Sequence, residues 1–166
     1  MGEFYFIGLA GLTQNYAEAF RWYNMAAKNE SPRSQYFLGL FYFYGYGVPV
    51  NESEAVKWWR KSANQGYAGA QSFLGSCYIW GSGVISDYHE ANKWFRKAAE
   101  QGDANAQYGL GCSYSNGYGV NIDHIEATKY FRMAAEQGHA SAQFNLGNAY
   151  YNGETALAAC PALHAL

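Results

Sequence analysis

The sequence has little basic charge. Its 11 Lys and Arg stand against 13 Asp and Glu, a net charge of -2 over 166 residues. Nucleic acids and anionic membranes are held by an excess of positive charge, so neither is expected as a partner. Long apolar runs are also missing. No window approaches the roughly 18 consecutive apolar residues of a membrane-spanning helix, so no membrane insertion is expected. Cysteine is scarce. Cys77, Cys112 and Cys160 are an odd set without metal-ligand spacing. Cys77 and Cys112 fall one repeat apart, and stacked helices lie about 8–10 Å apart, beyond the Cα separation of up to about 7 Å that a disulfide spans. No bridge between them is expected, which favours a reducing, cytoplasmic compartment for these residues. His89, His124, His139 and His164 share no ligand spacing, so no metal and no cofactor is expected. No nucleophile–base constellation stands out, so no catalytic residue is assigned.

Aromatic residues, by contrast, make up 19% of the chain, a share that needs a large core or an open face to hold it. The chain also repeats itself. Gln35, Gln71, Gln107 and Gln143 stand 36 residues apart, and so do Leu38, Leu74, Leu110 and Leu146. Gly39, Gly75, Gly111 and Gly147 keep the same register, as do Tyr42, Tyr78, Tyr114 and Tyr150. Ala19, Ala55, Ala91 and Ala127 continue it on the other half of the unit. Four returns without an insertion define a repeat protein. The units divide as 1–30 (first helix truncated), 31–66, 67–102, 103–138 and 139–153 (first helix only), with a non-repeat tail over 154–166. The apolar Met1–Leu12 carries Glu3 where a signal peptide would be positive, and it matches the end of a repeat helix.

Each unit reads as two helices. In the first, Gln71, Leu74, Gly75 and Tyr78 have the i, i+3, i+4, i+7 spacing of one buried face. It ends at a Gly-x-Gly turn such as Gly81–Gly83, which reads as turn chemistry and not as a phosphate cradle. The second helix opens with Asn15, Asn51, Asp87 or Asp123 as N-cap. Glu18, Glu54, Glu90 or Glu126 follows three residues later, a capping-box pattern. Ala55, Trp58, Trp59, Ser62 and Ala63 form its buried stripe, and Gly66, Gly102 and Gly138 end it. Small Gly75 and Ala63 are expected to let backbones approach while Tyr78 and Trp59 fill the space beside them. The repeated glutamines are expected to tie helix to helix. Before the second unit, Asn29-Glu30-Ser31-Pro32 replaces the usual Gln-Gly linker, with Ser31 as N-cap.

The string Ala-x-Ala-Gln-x-x-Leu-Gly-x-x-Tyr-x-x-Gly-x-Gly-Val, then Asp-x-x-x-Ala-x-x-Trp-Phe-x-Lys-Ala-Ala-x-x-Gly, is carried most fully by Ala68–Gly102 and Ala104–Gly138. It resembles the Sel1-like repeat, over roughly Asn15–Gly153. The resemblance implies an all-α fold: an αα-hairpin solenoid, a right-handed superhelix related to tetratricopeptide arrays, with the first helices lining the concave side. It also implies an adaptor or scaffold. A cysteine-rich branch of the family bridges the two helices of each repeat, and those paired cysteines are absent here.

Recognition is expected where the units differ, because positions fixed by packing recur. On the first helices the variable positions are Phe37, Phe73, Gly109 and Asn145; Leu40, Ser76, Cys112 and Asn148; and Tyr44, Trp80, Asn116 and Asn152. Their spacing of three, four and seven puts them on one face, which the resemblance makes the concave one. Phe37, Leu40, Tyr44, Phe73, Ser76, Trp80, Asn116, Asn145 and Asn148 are the candidate partner-binding residues, aromatic toward the N-terminus and Asn-rich toward the C-terminus. Apolar anchors beside amides suit a protein or peptide partner, so the expected function is a non-enzymatic adaptor. The alternatives are a hydrolase with a site in the same groove, and a homo-oligomer formed through uncapped repeat ends.

Overall fold

The computed structural model describes residues 15–151. The expectations about the truncated first helix, Asn152 and the tail therefore lie outside the described residues. Among the described residues there are eight helices and no strand: α1 (Tyr16–Lys28), α2 (Pro32–Tyr44), α3 (Glu52–Asn64), α4 (Ala68–Trp80), α5 (Tyr88–Ala99), α6 (Ala104–Asn116), α7 (His124–Glu136) and α8 (Ala140–Tyr151). The pairs α2–α3, α4–α5 and α6–α7 are antiparallel hairpins, and each second helix also packs on the first helix that follows it. Packing runs mainly between sequence neighbours, which makes the molecule an αα-hairpin solenoid.

The second helices start where their N-caps say. The Asn15, Asn51, Asp87 and Asp123 side chains accept from the backbone N–H of Glu18, Glu54, Glu90 and Glu126 at 3.1, 2.9, 3.0 and 3.0 Å. Only half of the expected capping box forms. The N–H groups of Asn51, Asp87 and Asp123 donate to the carbonyls of Tyr42, Tyr78 and Tyr114 at 2.8, 2.9 and 2.9 Å. With that donor engaged, the glutamates turn instead to Lys57, Lys93 and Lys129 one turn on, at 2.9, 2.9 and 3.2 Å. The N-cap thus joins the two helices of a hairpin as well as starting the second.

The core repeats one contact. Trp59 covers Gly39, Phe95 covers Gly75 and Phe131 covers Gly111, so closely that a Cβ on Gly75 or Gly111 would come within 2.5 or 2.6 Å of the ring. Trp59, Phe95 and Phe131 are each 0% exposed, and burying such a side chain contributes about 1.5–3 kcal/mol. The expectation that Trp59 fills space beside Gly75 is corrected. Trp59 lies over the glycine of its own unit, where its Nε1 donates to Tyr36 O at 3.1 Å.

The glutamine series does tie helices together. Gln71 Nε2 donates to Ala63 O of the preceding second helix at 3.1 Å, and its Oε1 accepts from Gln101 Nε2 of the following one at 2.8 Å. Gln35 and Gln107 accept in the same way from Gln65 and Gln137, both at 2.8 Å.

Gly83 shows why the turns need glycine. Its φ is +69°, and a Cβ there would meet the backbone carbonyl of Glu52 in the preceding unit at 2.5 Å. In the departing linker, Ser31 caps α2 by accepting from Ser34 N at 3.3 Å. Glu30 holds φ 60°, the position that Gly66, Gly102 and Gly138 fill in the other units.

Candidate functional site

The face defined by the variable positions splits in two. On α4 Trp80 is exposed and Ala68, Gly69, Phe73, Ser76 and Tyr78 are half-buried, while Ala70, Gln71, Ser72, Leu74, Gly75, Cys77 and Ile79 are buried. Gly69, Phe73, Ser76 and Trp80 have the spacing of one helical stripe. Trp80 is 43% exposed, and Tyr44 on α2 is 40% exposed. Behind them the aromatics brace one another. Phe73 packs on Trp59 with centroids 4.9 Å apart and on Tyr36 at 5.7 Å; Tyr36 meets Tyr67 at 5.1 Å; Tyr44 stacks on Tyr46 at 5.4 Å. Phe37 stacks on Tyr23 at 4.6 Å, tying the face to the first core cluster. Phe37 and Phe73 are thus half-buried and brace the rings around them.

Two candidates fall out of the open face. Leu40 is 9% exposed and packs in the core with Trp59 and Leu74, and Asn145 is 0% exposed. Asn145 hydrogen-bonds the Tyr108 phenol, together with Ser141. Gly109 and Cys112 are buried as well. The Asn-rich half of the face is therefore largely closed, with Asn116 and Asn148 half-buried. Asn116 Nδ2 is turned back onto Cys112 O at 2.9 Å. Ser76 Oγ donates to Ser72 O at 3.3 Å and stays half-exposed.

Burial shapes the chemistry of this region. It pushes the Tyr36 phenol up to about 12, with Tyr67, Asp103 and Tyr44 adding to the effect. It pushes the Cys77 thiol up to about 12 as well, helped by Glu52. A buried thiol held protonated is a poor nucleophile. Cys77 is free and Cys112 is disulfide-bonded, so the two do not bridge each other. A bridged cysteine removes the argument for a reducing compartment.

Other surface features were not anticipated. Val50 and Ile122, two repeat periods apart, and Ile85, one residue off that register, stand 64, 61 and 89% exposed on the loops between hairpin helices. His139 caps α8 by accepting from Ala142 N at Nδ1, 3.2 Å, and stacks on Tyr108 at 4.6 Å. Its register with the caps Ser31 and Asp103 was the available signal. Two shallow depressions lie along the second helices, one of about 370 Å³ along α7 and one of about 520 Å³ between α3 and Gly83–Val84. Lys57 and Arg60 in the second are already held by Glu54 and the Tyr78 hydroxyl. Among the described residues, no helix is long and apolar enough to cross a membrane.

A hairpin repeat of this packing, with an aromatic over a glycine and a glutamine bridge in each unit, defines a class of helical repeat scaffolds. The chain belongs to the Sel1 repeat family, whose model matches residues 1–31, 32–67, 68–103, 104–139 and 140–158. Its structure is similar to that of a protective antigen present in uropathogenic Escherichia coli strains, which displays an SLR fold (39% identity, TM-score 0.84). It is equally similar to a Sel1 repeat protein from Oxalobacter formigenes (39% identity, TM-score 0.85). Each match covers 92% of this chain, but 32% of the first protein and 60% of the second, so this chain spans less than two thirds of either. Among curated proteins, none matches the chain.

Proposed function

We propose that the chain is a non-enzymatic adaptor that binds a protein or peptide segment on the face of its first helices, at the aromatic end around Tyr44, Phe73, Ser76 and Trp80. The observation that carries this reading is the stripe on α4, where Trp80 stands 43% exposed in line with half-buried Phe73 and Ser76. Large aromatics on a rigid scaffold are the side chains that dominate binding energy, because they desolvate a wide area at little entropic cost. Sel1 repeats generally mediate protein interactions, which supports the same reading. No observation favours a hydrolase, since Cys77 is buried and held as the thiol.

The test is a peptide-library selection against the chain, followed by binding to Tyr44→Ala/Trp80→Ala. Those two positions are chosen because Phe37 and Phe73 also brace the core. A selected peptide should bind the double variant at least tenfold more weakly, with helicity unchanged by circular dichroism. Equal binding would reject this face as the site.

A further inference from the structure

Every Lys and Arg of the chain except Arg33 lies on a second helix. On α3 and α5 they share one register: Lys57, Arg60 and Lys61, then Lys93, Arg96 and Lys97. Spacing of three and four puts each trio on one helix face, and all six residues are exposed. Their partners differ in kind. Lys57 and Lys93 pair with Glu54 and Glu90, both at 2.9 Å. Arg60, Lys61, Arg96 and Lys97 pair with no carboxylate among the described residues. Neutral groups hold three of these four instead. Arg60 Nη2 donates to the Tyr78 hydroxyl at 2.8 Å, as Arg132 Nη2 does to that of Tyr150 at 2.6 Å. Lys61 Nζ lies over the Trp58 ring and Lys97 Nζ over the Trp94 ring, each 4.4 Å from the centroid.

A neutral partner fixes a cation in place without cancelling its charge. Arg60 uses one guanidinium N–H on Tyr78 and keeps donors of its planar fork for a carboxylate. Room for a ligand adjoins these groups. Arg60 and Lys61 border the depression of about 520 Å³ between α3 and Gly83–Val84, and Arg96 borders one of about 270 Å³ between α5 and α7. The whole chain carries a net charge of -2, so placement and not composition makes this face positive.

We infer that the second-helix face at Arg60, Lys61, Arg96 and Lys97 docks an acidic segment of a partner protein, whose Asp and Glu carboxylates pair with these four cations. A nucleic acid fits the face less well. Its phosphates follow one another about every 3.4 Å along a strand, so some would meet Glu54 and Glu90, which stand among the cations. An acidic peptide can set neutral residues opposite those glutamates. The surface is separate from the stripe around Trp80.

The probe is a synthetic Gly/Ser peptide with Glu at every third position, titrated against the full chain at low salt. Saturable binding is expected, weakening steeply as NaCl is raised. The same peptide with Gln for Glu should not bind. Arg60→Gln/Arg96→Gln should weaken binding at least tenfold, with helicity unchanged by circular dichroism because both positions are exposed. Arg21→Gln/Lys28→Gln removes the same net charge from α1 and should leave binding within twofold, as should Tyr44→Ala/Trp80→Ala. Equal losses from the two charge-matched pairs would reduce the effect to overall charge and overturn the proposal. So would binding that is indifferent to Gln for Glu, or binding lost in Tyr44→Ala/Trp80→Ala. A single-stranded oligonucleotide of equal charge that displaces the peptide at lower concentration would overturn it as well, assigning the face to nucleic acid.

Discussion

Phe131 lies so close over Gly111 that a Cβ on the glycine would stand 2.6 Å from its ring. Gly147 occupies the same register one unit later, with nothing within 4 Å. The same residue type therefore answers to packing in one helix and to register alone in the other.

Gly111→Ala is expected to destabilise the chain by about 1–3 kcal/mol, because the ring it displaces is fully buried. Gly147→Ala should do the opposite, gaining up to about 1 kcal/mol of helix propensity. Urea denaturation of both variants checks the pair, and equal effects would contradict the packing account.

Glu30→Gly is expected to stabilise by about 1 kcal/mol. Glu30 holds φ 60° where the other units use glycine, and a left-handed conformation costs a side-chain-bearing residue about 1–2 kcal/mol. A thermal midpoint that fails to rise would show that the linker is unstrained.

Gln107→Ala should cost about 1–3 kcal/mol. It removes the acceptor of Gln137 Nε2 in a position 2% exposed. Gln143→Ala, at an exposed position, is expected to cost less than about 1 kcal/mol. Denaturation midpoints of the two single variants make the comparison.

His139 caps α8 through a neutral Nδ1, and burial holds its pKa below the ordinary imidazole value of about 6.5. A base whose folded pKa is lowered contributes full stability above the unfolded pKa and loses it as pH falls through the folded one. Stability should thus decline as pH drops below about 6.5, before carboxylates titrate. His139→Asn keeps a capping side chain without a titrating ring, so it should flatten that decline in denaturation midpoints between pH 7 and 5.5. An unchanged slope would remove His139 as its source.

Much of the architecture was legible because identical constraints recur. Gln71, Gly75, Asp87 and Gly102 each mark a contact that every unit must make, so a 36-residue shift exposes them. Register alone does not say which surfaces meet, and so Trp59 was matched with Gly75 when it covers Gly39. The capping glutamates were read as reciprocal partners of the N-caps. The N-cap N–H had been taken by a tyrosine carbonyl in the other helix, a long-range contact that a local motif does not encode. The candidate face suffered from a related confusion. Variability identifies positions free of the repeating contacts, but Leu40 and Asn145 vary and are still covered by neighbouring side chains. His139 escaped notice as a cap because imidazole seldom plays that part.

The most direct test of the proposed adaptor face is an NMR titration with a peptide selected against the chain, following the backbone amides and the five tryptophan indole N–H signals. The account expects the Trp80 indole and the amides of Phe73–Trp80 and Tyr44 to shift, with α7 unmoved. Shifts confined to the second helices, with Trp80 and Tyr44 unperturbed, would contradict it.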